Sequence, residues 1–134
     1  METRTQASAP IHVLMVEDET LISDWMAESL SQQGFAVQTA TTAAEALEHL
    51  AADEVDVLFT DINLPGEMDG AALAVRARQM RPCLPVVYTS GHMHMLSPEA
   101  RVPGAMVVPK PYEPALVGRL LAAALHDAES HRPA

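Results

Sequence analysis

In the stretch LFTDINLPGEMDG, residues 58–70, an apolar run stops at a carboxylate, Asp61, and a Pro-Gly loop follows. Three other apolar runs end in reactive groups: VEDE at 16–19, YTSG at 88–91 and VPKP at 108–111. If these runs are strands of one parallel sheet, their tips meet at one edge, where such sheets bind ligands. That edge would collect Glu17, Asp18, Asp61, Ser90 and Lys110. Carboxylates crowded within a few Å repel one another unless a cation is bound. A hard divalent ion with oxygen ligands and retained waters, such as Mg²⁺, answers that repulsion, and Lys110 adds a compact second positive charge. Two positive centres around Asp61 could hold a phosphoryl group, and a carboxylate is a competent phosphoryl acceptor.

Each residue taken alone has a plainer reading. Asp18 and Glu19 could favour a helix N-terminus through its dipole. Asp61 could cap a turn, Ser90 could be a loop hydroxyl and Lys110 a solvated charge. Their joint position at four strand tips is what argues for a site.

The elements that must position them follow from patterning. IHVLMVE (11–17), FAVQT (35–39), VDVLFT (55–60), LPVVYT (84–89) and AMVV (105–108) read as strands, several of them dense enough for burial on both faces. Between them lie helical patterns. Thr20 opens the first, with Leu21, Ile22, Trp25, Met26 and Leu30 on one face, and Gly34 ends it as a C′ residue. Thr42 and Glu45 form a capping-box pattern before Ala46, Leu47 and Leu50. A third helix runs from about Gly70 to Met80, with Leu73, Ala77 and Met80 inward. The last starts near Pro114, a good N1 residue, and carries Leu116, Leu120, Leu121 and Leu125. Pro98 and Pro103 leave room for only a short helix between strands four and five. Strands alternating with helices predict an α/β domain with a parallel sheet and right-handed crossovers.

The bulk numbers agree. The 134 residues suit one domain, expected over 10–127, with flexible ends at 1–9 and 128–134. A net charge of -10 argues against direct binding of nucleic acid or anionic membrane. The single Cys83 permits no intrachain disulfide and reads as a small buried hydrophobe. No apolar run approaches the roughly 20 residues of a membrane span, and no secretory signal is visible; the expected location is cytoplasmic.

VLMVEDE, DVLFTDINLPGEMDG, PVVYTSG and VVPKPY, in this order and spacing, resemble the receiver domain of bacterial two-component response regulators, over roughly residues 11–126. The resemblance implies a flavodoxin-like doubly wound sheet of five parallel strands, order 2-1-3-4-5. It implies a signalling switch that accepts a phosphoryl group on Asp61 from the phosphohistidine of a histidine kinase or phosphotransfer protein, with Mg²⁺. Asp18 and Asp61 would supply carboxylate ligands, Asn63 its backbone carbonyl, and Glu17 would act mainly through water. Ser90 would hydrogen-bond the phosphoryl group and Lys110 pair with it, with Lys110-Pro111 cis. With the pattern ending near residue 126, the expected output is protein–protein interaction or phosphorelay.

Three features depart from the family pattern. PGEMDG is one residue longer than the commonest loop, Val107 stands where a switching Tyr or Phe often lies, and the fourth helical segment is short. His92, two residues past Ser90, is placed to overhang a phosphoryl group; His94, Met93 and Met95 read as loop side chains. His12, His49, His126 and His131 are scattered and carry no site signal. One rival is a haloacid-dehalogenase-type phosphatase, which wants a second Asp where this chain has Asn63. Another is a phosphorylation-independent binding module, against which the full acid, hydroxyl and lysine set argues.

Overall fold

The computed structural model describes residues 9–91 and 100–130; the expectations for residues 1–8, for His92, Met93, His94 and Met95, for the short helix between strands four and five, and for 131–134 lie outside the described residues. The chain runs β1 (His12–Val16), α1 (Thr20–Gln32), β2 (Ala36–Ala40), α2 (Ala43–Ala52), β3 (Val57–Asp61), α3 (Gly70–Met80), β4 (Val86–Ser90), β5 (Met106–Pro109) and α4 (Pro114–Ser130). All strand pairs are parallel, and the order β2-β1-β3-β4-β5 is the flavodoxin-like order expected.

Alternation along the strands splits the core into two layers. Leu14, Val16, Leu58 and Tyr88 pack with Ala46 and Leu50 of α2 and Leu73 and Ala77 of α3. Val13, Met15, Phe59 and Val87 pack with Met26 and Leu30 of α1 and Val117 and Leu121 of α4. Both faces of the central strands are therefore buried, which explains their unbroken apolar runs.

The helix ends obey local chemistry. Gly34 at φ 102° lets its N–H reach Ser31 O while Phe35 N–H reaches Leu30 O, closing α1 in a Schellman motif. Thr42 Oγ1 accepts from Glu45 N–H, and the Glu45 carboxylate reaches back to Thr41 N–H, one residue before the usual capping-box partner. Asp69 caps α3 by accepting from Ala72 N–H. The end of α2 is held from outside: Arg81 donates to the carbonyls of Leu50, Asp53 and Val55 at 2.6, 2.7 and 2.9 Å.

Several expected core positions are corrected. Leu21 is 85% exposed and Trp25 51%, so the inner face of α1 is set by Met26 and Leu30 with Ile22 at its flank. Met80, the last residue of α3, and Leu116 are also exposed, while Val117 and Ala124 take up inward positions on α4. Cys83 lies in the turn before β4 and is exposed rather than buried. The final helix continues through Ser130, so residues 128–130 belong to it rather than to a tail.

Candidate functional site

Register brings the reactive tips together. Val16 pairs with Thr60 across β1 and β3, so Glu17 and Asp18 follow one strand where Asp61 ends the next. Asp61 pairs with Thr89, which sets Ser90 one residue further out on β4, and Lys110 N–H donates to the Ser90 carbonyl. Gly70 fixes the turn after Asp61 from behind. Its N–H donates to Ile62 O at 2.8 Å, and a Cβ there would overlap the Asp61 carbonyl oxygen. Only glycine lets α3 begin that close to β3.

Ligand atoms of Glu17, Asp18 and Asp61 lie within 4.8 Å of one another. Lys110 Nζ donates to Glu17 Oε1 and Asp61 Oδ2, each at 2.8 Å. Asp61 Oδ1 accepts from Asn63 N–H at 3.0 Å, so this acid caps its own turn and also faces the lysine. The second Glu17 oxygen is held by Glu19 N–H at 3.1 Å. Glu17 and Asp61 are buried and Asp18 is exposed, which leaves one side open to water. Lys110-Pro111 is cis, as expected.

Electrostatics follow from that packing. Burial would lower the Lys110 ammonium, but its bonds to Asp61 and Glu17 outweigh this and raise it above its usual value. Burial pushes the Glu17 carboxyl up against the lowering pull of Lys110 and of Glu19 N–H. One ammonium thus faces three carboxylates, and the surplus is negative. An all-oxygen donor set, under-compensated and open to water through Asp18, fits a hard divalent cation such as Mg²⁺.

Beside Lys110 lies a groove of about 330 Å³ lined by Ile22, Trp25, Gly91, Lys110, Pro111 and Tyr112. Tyr112 packs on Phe59 with ring centroids 5.8 Å apart, and burial, then Glu17, pushes its phenol up to about 12. Neither the groove nor the role of Gly70 was readable beforehand, since both depend on contacts between distant elements. Ser90 and Thr89 are both buried, and Thr89 Oγ1 has no hydrogen-bond partner among the described residues.

Residues 13–121 match the model of the response regulator receiver domain. The chain belongs to the response regulator receiver domain family. It is 32% identical over 102 residues to the response regulator receiver protein CpdR of Brucella abortus, covering 75% of this chain and 84% of that protein. It is also 36% identical over 103 residues to the DNA-binding transcriptional regulator NtrC of Escherichia coli, covering 75% of this chain but 22% of that protein. The chain thus spans about a fifth of the length of NtrC. A receiver protein from Sinorhizobium medicae superposes with a TM-score of 0.83 at 28% identity, covering 89% of this chain and 97% of that one. The sensor kinase CckA of Brucella abortus contains a segment 33% identical over 94 residues, 69% of this chain and 10% of that protein. As a receiver domain this is a phosphoacceptor signalling module of the two-component type, a class that works with Mg²⁺ and histidine kinases; the phosphatase reading is not favoured. Among the described residues of this receiver domain no helix is long and apolar enough to cross a membrane.

Proposed function

We propose that Asp61 takes the phosphoryl group from a partner's phosphohistidine: the nitrogen–phosphorus bond breaks as the carboxylate oxygen bonds to phosphorus. The supporting observation is Lys110 Nζ bridging Glu17 and Asp61 at 2.8 Å each. Before transfer the lysine holds the acceptor carboxylate in place; after transfer the same ammonium turns to a phosphoryl oxygen. Ser90, one residue beyond the Asp61 pairing position, donates its hydroxyl to another oxygen of the group. Glu17, Asp18, Asp61 and the Asn63 carbonyl would hold Mg²⁺, with Glu17 acting mainly through water. When bound, the ion supplies positive charge against the phosphoryl oxygens.

The partner is a histidine kinase or a histidine phosphotransfer protein. The groove with Ile22, Trp25 and Tyr112 adjoins Lys110 and offers an apolar seat for the element carrying the histidine. Output passes by protein–protein contact or onward relay, in the cytoplasm. The net charge of -10 disfavours direct contact with nucleic acid or anionic membrane. Beryllofluoride, which stands in for the phosphoryl group on a carboxylate, tests the roles of Ser90 and Lys110. With Mg²⁺ present, wild type should show amide NMR shifts around 61, 90 and 110, whereas Ser90→Ala and Lys110→Ala should respond weakly. A variant responding like wild type would remove that residue from the mechanism.

A further inference from the structure

At the opposite end of the sheet a second donor group forms. His12 opens β1, and Asp56 immediately precedes β3; the two are joined by Asp56 N–H to His12 O and by His12 N–H to Asp56 Oδ2, each at 2.8 Å. Glu54, two residues before Asp56, places Oε1 3.8 Å from His12 Nε2. One ligand atom from each of His12, Glu54 and Asp56 lies within 4.8 Å of the other two. No sequence motif announces this group, because register alone makes the start of β1 a neighbour of the residues before β3.

We propose that His12, Glu54 and Asp56 form a binding site for a divalent transition metal, with Zn²⁺ as its natural class of ligand. A separation of 3.8 Å is too long for a hydrogen bond. It does suit two donors on either side of one ion with metal–ligand bonds of about 2.0–2.2 Å. One imidazole with two carboxylates is a borderline donor set, unlike the all-oxygen cluster at Asp61, and selects Zn²⁺ over Mg²⁺. The supports are in place. The His12 N–H bond orients the Asp56 carboxylate, as a second layer of contacts does in metal sites. Arg81 clamps the carbonyls of Asp53 and Val55, on either side of Glu54. His12 and Asp56 are half-buried and Glu54 is exposed, so water can fill the remaining position and the ion can enter from solvent. A metal here would tie β1 to the α2–β3 connection, away from the phosphoacceptor.

Calorimetric titration of the whole chain with Zn²⁺ in excess Mg²⁺ tests the site, the Mg²⁺ occupying the Asp61 cluster. Wild type should bind one Zn²⁺, with amide NMR shifts at 12–13 and 54–57. His12→Ala and Glu54→Gln should each weaken that binding at least tenfold, and a His92→Ala/His94→Ala double variant should leave it unchanged. The rise in melting temperature with Zn²⁺ should likewise vanish in His12→Ala, as linkage requires. Absence of binding, binding indifferent to His12→Ala, binding lost in the His92/His94 double variant, or shifts centred on Glu17 and Asp61 would each overturn the proposal.

Discussion

Lys110 is the residue on which the site balances, since its ammonium touches both buried carboxylates at 2.8 Å. Removing it leaves Glu17 and Asp61 facing each other uncompensated, and buried charge without a partner is costly. Lys110→Ala should therefore lose about 1–3 kcal/mol of stability in a chelator and recover part of it in Mg²⁺. Equal chemical denaturation midpoints in the two conditions would contradict this. Gly70 matters for the opposite reason, because it contributes no atoms. A methyl at 70 meets the Asp61 carbonyl oxygen, so Gly70→Ala should lower stability by about 1–3 kcal/mol and slow labelling of Asp61. Wild-type values for both would show that the turn accommodates a side chain. That Glu17, Asp18, Asp61 and Lys110 gather at one edge was legible in the sequence because each closely follows an apolar run. Gly70 was legible only as a helix start, since its close approach to β3 is a long-range contact that no local pattern encodes.

At the scale of elements, caps and strand tips were readable because they depend on neighbours a few residues apart. Thr42 with Glu45 and the αL Gly34 behaved accordingly. Faces were harder. Leu21 and Trp25 share the apolar spacing of α1 with Met26 and Leu30, yet they point to solvent. Periodicity reports an apolar stripe and not what covers it. Cys83 followed the turn before β4 to the surface despite its apolar neighbours. Val107 stands in place of a ring on β5, and the residue it pairs with on β4 is Tyr88, a fully buried aromatic. Its hydroxyl accepts from Val102 N–H at 3.2 Å and so ties β4 to the segment before β5. Tyr88→Phe strands that buried N–H and should cost about 1–3 kcal/mol, with faster amide exchange at Val102. Unchanged exchange at Val102 would mean that the bond carries no weight.

Across the whole molecule, alternating strands and helices predicted a parallel α/β sheet, but the order 2-1-3-4-5 came from the family resemblance. Strand order is a matter of long-range pairing, on which local periodicity is silent. Alkaline stability is a global property that the site sets in part. Burial, with Glu17 next, raises the Tyr112 phenol from its usual value near 10 to about 12. A raised value means stability that is complete below pH 10 and is lost as pH climbs toward 12. Phenolate absorbance should therefore show Tyr112 titrating near 12, and Tyr112→Phe should flatten the loss of stability over that interval. A phenol titrating at 10 in the native protein would refute the burial assigned to it. The central claim is that Asp61 alone receives the phosphoryl group, and intact-protein mass spectrometry reads it directly. With a small-molecule phosphodonor and Mg²⁺, wild type should gain one acid-stable, base-labile phosphoryl group, and both Asp61→Ala and Mg²⁺ chelation should abolish the gain. Undiminished labelling of Asp61→Ala would contradict the account.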